Sequence, residues 1–232
     1  MSQINIAIDG YCSTGKSTLA RALAAELGYR YVDTGAMYRG VTLYALQQGK
    51  PVQFTSLQEW QELFKDLELD FQFDSHKHDS VLLLNGTPVE RDLRQPEVAD
   101  AVSTVAAVSA VRKFLVHQQR LLGASCGVVM DGRDIGTVVL PQAELKIFMT
   151  ADPEVRVQRR YEELQSKNIA CSREEVRENL RSRDYQDSHR ADSPLKQAED
   201  AILLDNTDLD HSEQLALVLG WARDRIALLP YS

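Results

Sequence analysis

The chain has 232 residues, 44% of them hydrophobic, enough for a real core in one large α/β domain or two small ones. A formal net charge of −8 and a pI near 5.2 argue against a general nucleic-acid or membrane-surface binder. Cys12, Cys126 and Cys171 are widely spaced in no metal-ligand pattern, which suits reduced thiols. Without a signal-like start or a membrane-length apolar run, a soluble cytoplasmic monomer is expected.

The first predicted element is a short buried strand, Ile4 to Asp9. It runs into Gly10-Tyr11-Cys12-Ser13-Thr14-Gly15-Lys16-Ser17, followed by Thr18. This spacing reads as a phosphate-binding loop. Gly10 and Gly15 let the backbone curl so that consecutive N–H groups point at phosphate oxygens. Lys16 reaches the outer phosphates and the Ser17 hydroxyl can ligate Mg²⁺. Leu19, Ala20, Leu23, Ala24 and Leu27 then share one helical face, which Gly28 ends. A bound nucleoside triphosphate is the expectation.

Residues 29–33 read as a second strand and 34–48 as a helix ended by Gly49. Residues 55–66 read as a helix with Ser56 and Glu59 in capping-box spacing. Residues 67–74 alternate, 76–80 are polar, and Val81 to Leu84 meets an Asn85-Gly86 turn signal, so residues 66–95 are expected to form a small antiparallel insert. Pro96 begins two helices covering about 96–122. Strands are predicted at 127–130, 145–149 and 201–204, charged helices at 153–167 and 172–185, and a last helix at 212–228. Strands alternating with helices predict one domain over 1–232, a parallel sheet covered on both faces.

Ligands of such sheets bind at the carboxyl ends of the strands, so the polar residues there carry the information. After the phosphate loop come Asp33-Thr34-Gly35-Ala36-Met37-Tyr38-Arg39 and Asp131-Gly132-Arg133-Asp134. Residues 154–192 hold nine basic and nine acidic side chains, a balance that argues against a nucleic-acid patch. Most of these charges read as solvated helix faces. Arg183, Asp187 and Arg190, spaced by four and three, would share one face of a continuing helix. A carboxylate between two guanidiniums can accept ribose hydroxyls while the guanidiniums bind phosphate. A kinase that phosphorylates an alcohol needs a base for the hydroxyl proton; a phosphate acceptor needs cations instead. Many arginines and no compelling base favour phosphate-to-phosphate transfer.

With these residues laid out, the chain resembles the bacterial cytidylate kinases, which convert CMP and dCMP to diphosphates with ATP. The resemblance runs over nearly the whole length. It rests on Ile8-Asp9-Gly10 leading into Gly15-Lys16-Ser17-Thr18, on Asp33 to Arg39, and on Asp131 to Val139. It continues through Lys146-Ile147-Phe148, Arg159-Arg160-Tyr161, Arg183-Asp184 with Asp187 and Arg190, and Ser193-Pro194-Leu195. It implies a three-layer α/β/α P-loop fold with a five-stranded parallel sheet, a CMP-binding insert at about 66–95 and a helical lid at about 154–170.

The resemblance further implies that Asp33, Thr34 and Arg39 lie at the CMP phosphate, with Arg133 close to the transferred group. Ser103, Arg112 and Asp134 would surround cytosine, Arg183 and Asp187 would bind the ribose, and Arg190 would assist with phosphate. Arg156, Arg159 and Arg160 fall in the segment that resembles a lid over ATP. Lys16, Arg133 and Arg190 are the implied catalytic residues, with Mg²⁺ at Ser17. Tyr11 and Cys12 depart from the Pro and small residue usual after the first loop glycine. The cradle needs backbone N–H groups and should survive the change, while a thiol in this position is a candidate for a lowered pKa. The rivals are a kinase of the same fold acting on UMP, AMP, shikimate or dephospho-coenzyme A, and a nucleotide-dependent switch. A switch would be supported by a guanine-reading Asn-Lys-x-Asp segment, and the sequence has none.

Overall fold

Strand β1, Asn5–Gly10, is buried along nearly its whole length, as a strand covered on both faces must be. Its side chains alternate between two cores. Ala7 faces one with Met37, Val41 and Leu115, while Ile6 and Ile8 face the other with Leu23, Ala24 and Val218. The computed structural model describes residues 3–50, 56–74 and 79–229. Thr55 at the predicted helix start and residues 76–78 of the polar stretch lie outside the described residues.

Around β1 the sheet adds β2 (Arg30–Asp33), β6 (Val128–Gly132), β7 (Leu145–Thr150) and β8 (Ile202–Asp205) in the order β2-β6-β1-β7-β8, every pair parallel. The edge strands are partly exposed and the three inner ones almost wholly buried, which is why the inner ones read as unbroken apolar runs. Helices α1 (Lys16–Leu27) and α8 (His211–Ala227) pack on one face; α2 (Thr34–Gln47), α4 (Pro96–Ala106) and α5 (Ser109–Gly123) cover the other. This is the expected three-layer α/β/α architecture.

The insert forms beside α2. Helix α3 (Leu57–Lys65) starts at Ser56, whose hydroxyl accepts from the Glu59 N–H as the capping-box spacing predicts. Strands β3 (Leu69–Asp74) and β4 (Asp79–Leu84) pair antiparallel, and a two-residue β5 (Thr87–Pro88) completes a three-stranded sheet. Gly40 lets α2 press on this sheet: a Cβ there would stand 2.9 Å from Leu82 Cδ2 and 3.0 Å from Leu69 Cδ2. Helices α6 (Pro153–Ser166) and α7 (Arg173–His189) form an arm over the phosphate loop, with Val157, Val176 and Leu180 closing on Cys12.

Three details differ from the sequence reading. Residues 135–139, Ile135 to Val139, form a π-type turn that no periodicity announced. Helix α7 continues to His189 rather than 185. Arg190 stands just beyond it in extended conformation, with its Nε donating to Ser193 O at 2.7 Å, so it does not share a helix face with Arg183 and Asp187.

Candidate active site

Gly10 closes β1 at φ +147, where a Cβ would lie 2.1 Å from Met149 O of the neighbouring strand. The loop then turns through Ser13 (φ 59) and Gly15 (φ 86) into α1. α1, like α4 and α5, begins with no side-chain cap, and the residues at its start, Gly15, Lys16, Ser17 and Thr18, line the cleft. The Lys16 ammonium folds back to Tyr11 O and to Thr14 Oγ1 at 3.3 Å. Burial, with Arg133 nearby, lowers its pKa to about 7. Ser17 Oγ donates to Asp131 Oδ2 at 2.8 Å, and Tyr31 Oη to Asp131 Oδ1 at 2.9 Å. Burial and the neighbouring Asp33 push Asp131 up to about 6.

A cleft of about 1240 Å³ extends from this floor, large enough for more than one nucleotide-sized ligand. Lys16, Ser17, Asp33, Thr34, Arg39, Ser103, Arg133, Asp134, Arg159, Arg160, Arg183, Asp187 and Arg190 all line it, as do Cys12, Ser13, Gly15 and Thr18. The strand-end clusters expected from the sequence therefore converge. Each of their carboxylates already accepts from a donor. Asp33 caps α2 through the Ala36 N–H and pairs with Arg39 at 2.9 Å. Asp134 pairs with Arg112 at 2.6 Å, and Arg190 is 3.6 Å from its other oxygen. Asp187 accepts from Arg133 Nε at 2.7 Å and from Arg190 Nη1 at 3.4 Å.

Burial raises Asp187 but the charges of Arg133, Arg190 and Arg183 outweigh it and leave the pKa low. Burial works against the Arg133 charge as well, and Asp187 overrides it, so Arg133 is a permanent cation. The carboxylate predicted to lie between Arg183 and Arg190 lies instead between Arg133 and Arg190. Thr34, also assigned to phosphate, donates its hydroxyl to Asp131 O at 2.7 Å.

Other assigned residues stand behind the surface. Arg112 is 3% exposed and does not itself line the cleft; it stands behind Asp134, to which it donates. Gly10, Tyr11 and Thr14 do not line the cleft, and the Thr14 hydroxyl donates to Tyr11 O at 3.0 Å within the loop. Arg156 is not turned to the cleft: it pairs with Asp184, donates to Cys12 O at 3.3 Å, and lies 5.3 Å over the Tyr11 ring. Arg159 faces the cleft but is forked onto Asn206, at 3.0 Å to Oδ1 and 2.8 Å to the carbonyl. Arg160 pairs with Glu163 at 2.7 Å. Burial raises the Cys12 thiol, and Arg183, Arg133 and Lys16 more than reverse this, so its pKa is lowered although the side chain is packed against Val157 and Leu180.

Sequence reasoning passed over several residues that hold the site together. Asn206 Nδ2 donates to Thr14 O at 2.7 Å and to Gln214 Oε1 at 2.8 Å, tying the phosphate loop to α8. It follows β8 directly, so the strand-end rule that singled out Asp33 and Asp131 applies to it as well. Asp184 Oδ1 accepts the Cys12 N–H at 3.2 Å. Tyr38 lies under Arg112, and its buried hydroxyl has no hydrogen-bond partner among the described residues. A buried donor of this kind at a cleft wall fits a polar ligand.

Ser17 and Asp131 offer adjacent hard oxygen ligands, a pair that fits Mg²⁺. No group of three or more His, Cys, Asp or Glu that could hold a metal occurs among the described residues, so phosphate oxygens would supply much of the coordination. No helix among the described residues is long and apolar enough to cross a membrane.

The family model described as cytidylate kinase matches residues 6–223. A cytidylate kinase of Parabacteroides distasonis is 50% identical over 220 residues, 94% of this chain and 96% of that protein. One from Flavobacterium johnsoniae is 51% identical over 229 residues, 98% of this chain and 100% of that protein. Among solved structures, an uncharacterized protein from Eubacterium ventriosum superposes with a TM-score of 0.51 at 10% identity, covering 96% of this chain and 99% of that one, a similarity of fold.

Proposed function

The chain belongs to the cytidylate kinase family, and on that premise we propose that it passes the γ-phosphate of ATP directly to the phosphate of CMP or dCMP. The observation that carries the residue-level reading is the cleft itself. Lys16, Arg39, Arg133, Arg183 and Arg190 converge there, while Asp33, Asp131, Asp134 and Asp187 are each engaged by a donor. A phosphate acceptor is already mostly anionic at neutral pH, so its transfer calls for such cations and no general base.

In this reading the N–H groups from Ser13 to Thr18 cradle the ATP phosphates and Lys16 neutralises the oxygens that gain charge. Mg²⁺ held at Ser17, with Asp131 behind it, would neutralise phosphate charge. Arg39 exchanges Asp33 for the acceptor phosphate, and Arg133, aimed by Asp187, reaches the group in transfer. Arg183 and Asp187 hold the ribose. Arg159, braced by Asn206, closes the ATP side with Arg160, and exclusion of water there keeps ATP hydrolysis slow when CMP is absent. The insert at 66–95 and the arm at 154–170 are the parts of a single domain that shape the acceptor and donor ends.

Asp134 is the base-reading residue, with Arg112 and Ser103 around it. Cytosine offers an N4 amino donor where uracil has an acceptor oxygen, so UMP would set two acceptors against each other. That mismatch costs about 1.4–3 kcal/mol, roughly ten- to 150-fold. Steady-state kinetics with ATP and CMP, dCMP, UMP and AMP in turn should give CMP at least a tenfold advantage over UMP in kcat/KM. Equal efficiencies would remove the Asp134 assignment.

A further inference from the structure

The turn at residues 135–139 starts at Asp134, and a residue in that position ordinarily accepts from the first N–H groups with its own side chain. Asp134 makes no such bond, because its carboxylate is turned to Arg112 and Arg190. The Ile135 and Gly136 N–H groups donate instead to Asp9, at 2.8 Å to Oδ1 and 2.7 Å to Oδ2. Asp9 lies at the end of β1, across from Gly132 in the β1–β6 register, and is 4% exposed. It does not line the cleft. Gly136 sits close against this pair: a Cβ there would stand in ordinary contact with Asp9 Oδ2, at 3.4 Å, and 3.2 Å from the Lys146 side chain.

A fully buried carboxylate with two backbone donors is thus spent on one short turn, and that turn carries Asp134 at its head. We infer that Asp9 is a positioning residue for base selection: by capping the 135–139 turn from the neighbouring strand, it leaves the Asp134 carboxylate to face the acceptor base. The inference rests on the reading of Asp134 given above.

The test is the CMP:UMP ratio of kcat/KM in Asp9→Asn, Asp134→Asn and the double variant, with ATP affinity measured separately by calorimetry. Asn keeps the size of Asp9 and one acceptor oxygen but sets an NH₂ against the other backbone N–H. Asp9→Asn should lower the ratio roughly three- to tenfold while ATP affinity changes less than about twofold. The double variant should have a ratio no lower than Asp134→Asn alone, because the two changes act through one group. A CMP:UMP ratio unchanged in Asp9→Asn, or lowered additively with Asp134→Asn, overturns the role of Asp9. An unchanged ratio in Asp134→Asn overturns the base-reading assignment, and this inference falls with it. If Asp9→Asn does not fold, Asp9→Glu keeps the carboxylate but sets it one methylene further out, so that both N–H contacts of the turn must shift. It should lower the ratio about twofold or more, and an unchanged ratio there overturns the inference.

Discussion

At the floor of the cleft the loop offers backbone donors, placed by Gly10, Gly15 and the uncapped start of α1. Along the wall formed by the start of α2, residues 131–134 and α7, charged side chains hold one another: Arg133 and Asp187, Asp134 and Arg112, Arg39 and Asp33. A backbone cradle tolerates different side chains and fails when its dihedral angles are lost. A wall of ion pairs tolerates backbone adjustment and fails when one partner is deleted. That difference explains how Tyr11 and Cys12 can replace the usual loop residues, and it predicts where small changes will do most damage.

The largest effect should come from a single methyl group at the floor. In Gly10→Ala the new Cβ would sit 2.1 Å from Met149 O, at a φ of +147 that L side chains rarely adopt. β1 and β7 cannot separate there without opening the sheet, so the loop must shift and its N–H groups lose their aim. Loss of preorganised donors of this kind lowers kcat by about 10²-fold or more. Activity within tenfold of the parent enzyme, measured with ATP and CMP on folded protein, would show that the floor does not depend on backbone geometry.

Next in size is a deletion at the wall. Asp187→Ala removes the proposed ribose acceptor and also the partner that holds the partly buried Arg133. An orphaned, partly buried cation costs about 1–3 kcal/mol, so kcat/KM for CMP should fall about five- to 150-fold. The two roles separate with 2′,3′-dideoxy-CMP, which has already lost the ribose hydroxyls. A larger fall for CMP than for the analogue supports the ribose contact, whereas equal falls leave Asp187 only the task of aiming Arg133.

The same contrast governs how much the sequence discloses. The floor is local: strand, glycine, Gly-Lys-Ser and amphipathic helix follow one another within about two dozen residues, and the structure places them as read. The wall is assembled across the fold. Asp187 was expected beside Arg183, four residues away, and takes Arg133, 54 residues upstream, as its closest partner. Arg156 was expected over ATP and is spent on Asp184 and the Cys12 carbonyl. Asp9 reads as the last residue of a strand, because nothing local shows that its carboxylate caps a turn 126 residues on. The sheet, the helices and the insert were legible from apolar periodicity. The two-residue β5 and the turn at 135–139 were not, since both are too short to show a period.

The smallest effect expected is a difference in pH response between the two regions. Lys16 is the cation of the floor, and burial together with Arg133 lowers its pKa from 10.5 to about 7 in the ligand-free enzyme. Its neutral form therefore favours the folded state above pH 10.5, and that contribution is lost as pH falls through about 7. Asp9 and Asp131 run the other way. Burial raises them to about 7 and about 6, so their contribution is present below about pH 4 and is lost as pH rises through those values. ATP phosphates favour charged Lys16, so binding above pH 7 must take up a proton. Between pH 8 and 9 ATP affinity should fall by up to about tenfold, with an uptake approaching one proton per ATP in calorimetry across two buffers. The wall cations proposed to hold the CMP phosphate are arginines, which stay charged over this range, so CMP affinity should hardly change. Lys16→Met should abolish the uptake. ATP binding without proton uptake, or CMP binding that weakens in parallel, would place the titrating cation outside the floor.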